Sequence, residues 1–172
     1  MSKGTDKKSR RALVTGSFDP ITKGHEDVIR RAAEEYGEVY AVVFASHEKK
    51  GFFSFEQRLV LLKAVCKKFK NVKADLSLGY VADYAKEIAA DAIVRGVRDE
   101  SDIAYEEPMA KYNFEHSGVK TVFFQAPDEL KEVSSSRVRE LLLAGKDPSA
   151  LLPKEIAKEI CENWRIFRTE CD

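Results

Sequence analysis

The stretch Gly16-Ser17-Phe18-Asp19-Pro20-Ile21-Thr22-Lys23-Gly24-His25 constrains this chain more than any other part of it. Before it stands Ala12-Leu13-Val14-Thr15, a short apolar, partly β-branched run that reads as a buried strand. After it, Val28, Ile29, Ala32, Ala33 and Tyr36 recur at helical spacing across His25 to Tyr36. A glycine-bearing turn therefore leaves the carboxyl end of a strand and opens a helix. Open α/β sheets bind their ligands at such places. Unpaired N–H groups and the helix dipole there favour phosphate. Gly16 allows close approach of backbone to a ligand, Pro20 stiffens the turn, and Thr22 suits the helix cap. His25 falls in the first helical turn, facing a bound anion. The spacing fits neither a P-loop nor the three-glycine dinucleotide fingerprint.

The rest of the chain repeats the strand–helix alternation. Val39 to Ala45 is a nearly continuous apolar run, the pattern of a central parallel strand. Ser54, with Gln57 three residues on, forms a capping box ahead of a helix whose apolar stripe is Phe55, Leu59, Leu62, Val65, Cys66 and Phe69. Val72 to Leu76, Ala92 to Val94 and Lys120 to Phe124 are further strands, and Tyr80 to Ala89 is a helix. Ser101 to Asn113 reads as a helix kinked or interrupted at Pro108. Helices from about Ser134 to Ala144 and from Pro153 to Arg165 close the chain. Alternation of this kind implies right-handed crossovers and a parallel sheet. The expectation is one Rossmann-like, doubly wound α/β domain over residues 11–172, five strands with helices on both faces, behind a flexible basic tail of residues 1–10.

Charge narrows the function. Twenty-nine acidic residues balance 29 basic ones, so no nucleic-acid-scale basic excess exists and any anion site must be local. Lys7-Lys8-Ser9-Arg10-Arg11 reads as a solvated tail rather than a nucleic-acid or membrane contact. No apolar run reaches the ~18 residues of a membrane span. The charged N-terminus lacks a signal peptide's apolar core. Three cysteines, Cys66, Cys161 and Cys171, without metal-like spacing suit a reducing cytosol, so a cytoplasmic location is expected. Cys66 reads as a buried structural thiol.

Four loops at the expected carboxyl end of the sheet carry candidate groups. The first holds Ser17 and His25, and the second the pair Lys49-Lys50. Arg95-Gly96-Val97-Arg98 in the third makes a forked phosphate site, or else an ion-pair network with Asp99 and Glu100. Ser134, Ser135 and Ser136 in the fourth offer hydroxyls and free N–H groups at a helix start, though such serines also serve simply as caps.

The first stretch resembles the (S/T)FDPxTxGH signature of the nucleotidyltransferases, whose TxGH is related to the HxGH element of class I aminoacyl-tRNA synthetases. Within that superfamily the whole string is similar to the phosphopantetheine adenylyltransferases, and the resemblance runs from about Arg11 to Pro153. It implies transfer of AMP from ATP to 4′-phosphopantetheine, with magnesium arriving on ATP, hexameric assembly and feedback inhibition by coenzyme A. Carried over by resemblance, His25 stabilises the transition state at the α-phosphate and Ser17 contacts both substrates. Phe18, Gly96, Val97, Arg98, Glu106 and the three serines bind ATP. Lys49, before a Gly-Phe-Phe-Ser-Phe-Glu-Gln-Arg segment similar to the family's acceptor loop, binds the acceptor phosphate with Arg95, and Val81 touches the pantetheine arm. Thr15 replaces the family's usual Pro, and Glu107, Pro108 and Asp128 to Glu132 also depart from its pattern. Two rivals compete: a sister enzyme such as a glycerol-phosphate cytidylyltransferase, and a non-catalytic nucleotide sensor. The Arg95 and Ser134 motifs oppose the first, and an acceptor-phosphate site opposes the second.

Overall fold

The structure is a computed structural model that describes residues 6, 9–45 and 50–167. The expected tail falls largely outside these. Its last residue, Arg10, lays its guanidinium over the Tyr36 ring at 4.8 Å.

Strand β1 (Arg11–Gly16) feeds helix α1 (Lys23–Glu35), which returns the chain to β2 (Glu38–Phe44). Helix α2 (Phe55–Cys66) leads to β3 (Val72–Ser77), and α3 (Val81–Glu87) crosses back to β4 (Ala92–Val97). Helix α4 (Glu100–Ser117) leads to β5 (Thr121–Gln125), before α5 (Ser135–Leu143) and α6 (Lys154–Asn163). All strand pairs are parallel, in the order β3-β2-β1-β4-β5. The chain runs outward from β1 in one direction, then returns past it to β4. The reversal of strand order lies between β1 and β4, where Leu13 sits beside Ile93 and Val14 beside Val94.

Alternation along β1 divides the core. Ala12 and Val14 face a large buried cluster with Ile29 and Ala32 of α1, Leu61, Leu62 and Val65 of α2, Val138 of α5, and Ile156 and Ile160 of α6. Leu13, Val42 and Ile93 point the other way, into a small cluster with Ala85 of α3 and Ala90. Helices thus cover both faces, unequally.

Two local expectations are corrected. Pro108 does not interrupt its helix: α4 runs unbroken for 18 residues. Both Pro108 and Ala104, whose carbonyl loses its N–H partner, lie on the exposed side, where water can satisfy that oxygen. The buried stripe of α2 is Arg58, Leu61, Leu62, Val65 and Cys66, with Leu59 only half-buried. Cys66 is 3% exposed and burial pushes its thiol up to about 12, the behaviour of an inert core residue.

Candidate active site

Where β1 and β4 end side by side, their last residues open onto a cleft of about 510 Å³. Gly16, Ser17 and His25 line it from the first loop, Gly96, Val97 and Arg98 from the end of β4, Glu106 from α4, and Ser134, Ser135 and Ser136 from the start of α5. A smaller groove of about 210 Å³ lies towards α3 and α4, lined by Phe44, Val81, Met109 and Asn113. Thr15, Gly16, Ser17, Arg95 and Glu106 border both spaces, and Ser17 is exposed at the junction. The sheet reversal therefore places two adjoining cavities around one serine and one arginine.

His25 occupies the third helical position of α1. Its backbone N–H donates to Thr22 Oγ1 at 3.5 Å, and the Thr22 N–H donates to His25 Nδ1 at 3.0 Å. This is a capping box with histidine in place of the usual acid. Because Nδ1 accepts, the neutral ring carries its proton on Nε2. Burial, then the positive charge of Arg95, lowers the His25 pKa to about 4. At neutral pH the imidazole is therefore an uncharged N–H donor. Among the described residues, Arg95, Arg98 and the helix start supply positive character to the cleft in its place.

Both arginines of the third loop are held by α4. Arg95 forks onto Glu106 through Nε (3.0 Å) and Nη2 (2.6 Å), while Nη1 donates to the Thr15 carbonyl at 2.5 Å. Arg98 forks onto Asp102 through Nε (2.9 Å) and Nη2 (3.2 Å), and its own backbone N–H donates to the same carboxylate. The guanidinium bonds first, and then the backbone bond, hold the Asp102 carboxyl below the usual carboxylate range. The partners are thus Glu106 and Asp102, rather than the Asp99 and Glu100 that adjacency suggests. Asp99 instead caps α4, accepting from the Asp102 N–H at 2.9 Å. Gly96 is required by packing: a Cβ there would come within 2.7 Å of Val28 Cγ2 on α1.

At α5, Ser134 is the helix cap, accepting from the Arg137 N–H at 3.1 Å. Ser135 Oγ donates to the Pro20 carbonyl at 2.8 Å, and Arg139 bridges Ser136 Oγ to the Asp19 carbonyl. The fourth loop is thereby bolted to the first. Phe18 lines neither cavity and is wholly buried, so it sits beneath the cleft rather than on its wall. Lys49 lies outside the described residues.

Three contributors escaped the sequence reading. Arg58 is 4% exposed, in an ion pair with Asp19 (3.3 Å) and donating to the Phe53 carbonyl. A charged residue three and four places before Leu61 and Leu62, on the apolar face of its helix, was the available signal. Asn113 is buried on the wall of the groove, which Thr121 also lines, its Oγ1 buried without a hydrogen-bond partner among the described residues. Neither residue carries a sequence signal, since only the fold brings them there.

A family profile described as cytidylyltransferase-like matches residues 13–141. Among curated proteins, the phosphopantetheine adenylyltransferase of Streptomyces coelicolor is 40% identical over 156 residues, 91% of this chain and 98% of its own. That of Corynebacterium diphtheriae is 41% identical over 154 residues, covering 89% and 97%. The chain belongs to the phosphopantetheine adenylyltransferase family. Membership makes it a nucleotidyltransferase, and the cleft at the sheet reversal is this family member's candidate active site. Among solved structures, the nicotinic acid mononucleotide adenylyltransferase of Plasmodium falciparum, complexed with NaAD, superposes with a TM-score of 0.63 at 16% identity, covering 94% of this chain and 99% of that one. This second likeness establishes the fold. In the structure, no helix among the described residues is long and apolar enough to cross a membrane.

Proposed function

We propose that this family member transfers AMP from ATP to 4′-phosphopantetheine, releasing pyrophosphate and dephospho-coenzyme A. The observation that carries the reading is the pair of adjoining cavities that share Ser17 and Arg95. The larger, with two helix starts and Arg98, suits a triphosphate. The smaller has an apolar wall at Val81 and Met109, with the Asn113 amide and the unpartnered Thr121 hydroxyl, which suits an amide-bearing arm. A phosphate at the junction would lie beside Ser17 and Arg95, next to the α-phosphate.

The mechanism needs no covalent intermediate. The acceptor phosphate attacks the α-phosphorus in line, and pyrophosphate leaves. Its second pKa is about 6, so at neutral pH it is already largely a dianion and requires no general base. His25 donates through Nε2–H as charge grows on the α-phosphate oxygens. Arg95, Arg98 and Lys49 offset the repulsion between dianion and triphosphate. Asp19 and Asp102 hold loop geometry, and Glu106 positions Arg95 while facing the nucleotide.

Magnesium is proposed to enter as the ATP complex. Among the described residues, no cluster of three His, Cys, Asp or Glu side chains is placed to hold a metal. By the same family resemblance the proposal includes hexameric assembly and feedback inhibition by coenzyme A, and, from the cysteine usage, a cytoplasmic location. The test is pyrophosphate release: it should require ATP and phosphopantetheine together. Equal turnover with CTP and glycerol 3-phosphate would reject the assignment.

A further inference from the structure

The Ser17–Pro20 turn is gripped from below by a buried guanidinium. Arg58 Nε donates to the Phe53 carbonyl at 2.9 Å and lies 3.3 Å from Asp19 Oδ1, while Nη1 donates to the Ser17 carbonyl at 3.4 Å. The Asp19 carboxylate accepts the N–H groups of Phe52 (2.7 Å) and Phe53 (2.8 Å). Arg58 and Asp19 thus lock two loops together under the exposed Ser17. The turn they hold is strained: Phe18 has φ of 46° and is not glycine. Its ring meets the His25 ring at a centroid distance of 5.0 Å, so movement of the turn is passed to both residues that face the α-phosphate.

We infer that Arg58 is a positioning residue for nucleotidyl transfer, its fork onto Asp19, Phe53 and Ser17 holding the turn so that Ser17 and His25 meet the α-phosphate in reactive geometry. This rests on the proposed placement of Ser17 and His25. A buried pair of this kind is weak support for stability, because desolvation offsets its attraction. Its worth lies in geometry. A lysine would keep the charge beside Asp19 but cannot form the same fork.

The structure supplies a second way to disturb the fork. A Cβ on Gly51 would fall 1.2 Å from Arg58 Nη2, the far end of a flexible side chain. Gly51→Ala therefore displaces the guanidinium while leaving Arg58 and Asp19 in the chain.

Arg58→Lys and Gly51→Ala are assayed for pyrophosphate release, for ATP affinity by calorimetry and for Tm. Both should lower kcat by roughly 10- to 10²-fold, the scale of a misplacement of about 1 Å, with ATP affinity unchanged. In a Ser17→Ala background the loss should shrink, because an absent hydroxyl cannot be misplaced. A general structural defect would instead weaken ATP binding and persist undiminished in that background. Full kcat in Gly51→Ala overturns the inference, as does a kcat loss equal in both backgrounds. If Arg58→Lys does not fold, Gly51→Ala decides. Unchanged kcat in both Ser17→Ala and His25→Ala removes the underlying placement, and the inference with it.

Discussion

The two faces of the sheet are built to different standards. On one, α1, α2, α5 and α6 bury a continuous apolar cluster that reaches from Ala12 to Phe167. On the other, the buried cluster is Leu13, Val42, Ala85, Ala90 and Ile93, and α4 buries one side chain, Asn113, while Tyr105 stands 83% exposed. The full face carries the two helix starts that present His25 and the serines. The lean face carries the groove, and its α4 supplies the carboxylates that hold Arg95 and Arg98. Dense packing fixes donors in place, since interiors transmit displacement rather than absorb it. Sparse packing leaves room for a ligand arm.

Truncation on the two faces tests this contrast most severely. Ile29→Ala on α1 should cost ~2–5 kcal/mol in denaturant unfolding. Tyr105→Ala on α4 should stay within about 0.5 kcal/mol. Similar costs for the two would erase the distinction between the faces.

His25, on the full face, should matter to rate. His25→Ala should lower kcat by ~10²–10³, the scale of one lost transition-state donor, with ATP still bound. A near-normal kcat would remove His25 from the chemistry.

Arg95, on the lean side, should matter to the acceptor. Arg95→Ala should weaken phosphopantetheine binding by ~1.5–3 kcal/mol, as expected for a lost charged hydrogen bond, and ATP binding by less. Calorimetry showing the reverse order would mean that the cavities have been assigned to the wrong substrates.

The smallest effect concerns pH. The rate should fall on acidification through about pH 6 as the acceptor phosphate takes up a proton. Since His25 titrates near 4 in the free protein, the same limb should remain in His25→Ala. Its loss there would assign the limb to the imidazole. Stability follows separately: the unfolded chain binds the His25 proton at 6.5 and the folded one at about 4. Between those values the unfolded state holds more protons, so stability declines as pH falls from 6.5 to 4. Denaturant unfolding of His25→Gln across that window should show a shallower decline.

Local chemistry was legible in the sequence and long-range pairing was not. The strand–turn–helix of Ala12 to Tyr36 was readable because glycine, proline, cap and helical period all act within a few residues. Thr22 as the cap followed from the same logic, but the histidine closing the capping box required coordinates. Arg95 and Arg98 were visible as cations. Their partners were not: Glu106 stands 11 residues from Arg95 and reaches it only after α4 winds back beside the end of β4, and Asp102, four residues from Arg98, takes the fork while the nearer Asp99 is held as the helix cap. Pro108 misled for a related reason: its cost depends on whether the freed carbonyl faces water, which no spacing rule records.

The stacking of Phe52 on Trp164, at 5.6 Å and 21°, and the bond from the Ser54 N–H to the Phe167 carbonyl join the second loop to residues beyond α6. During synthesis the turn that carries Asp19 leaves the ribosome well before Trp164. The loop held by Asp19 therefore waits for its outer cover until the residues beyond α6 have emerged.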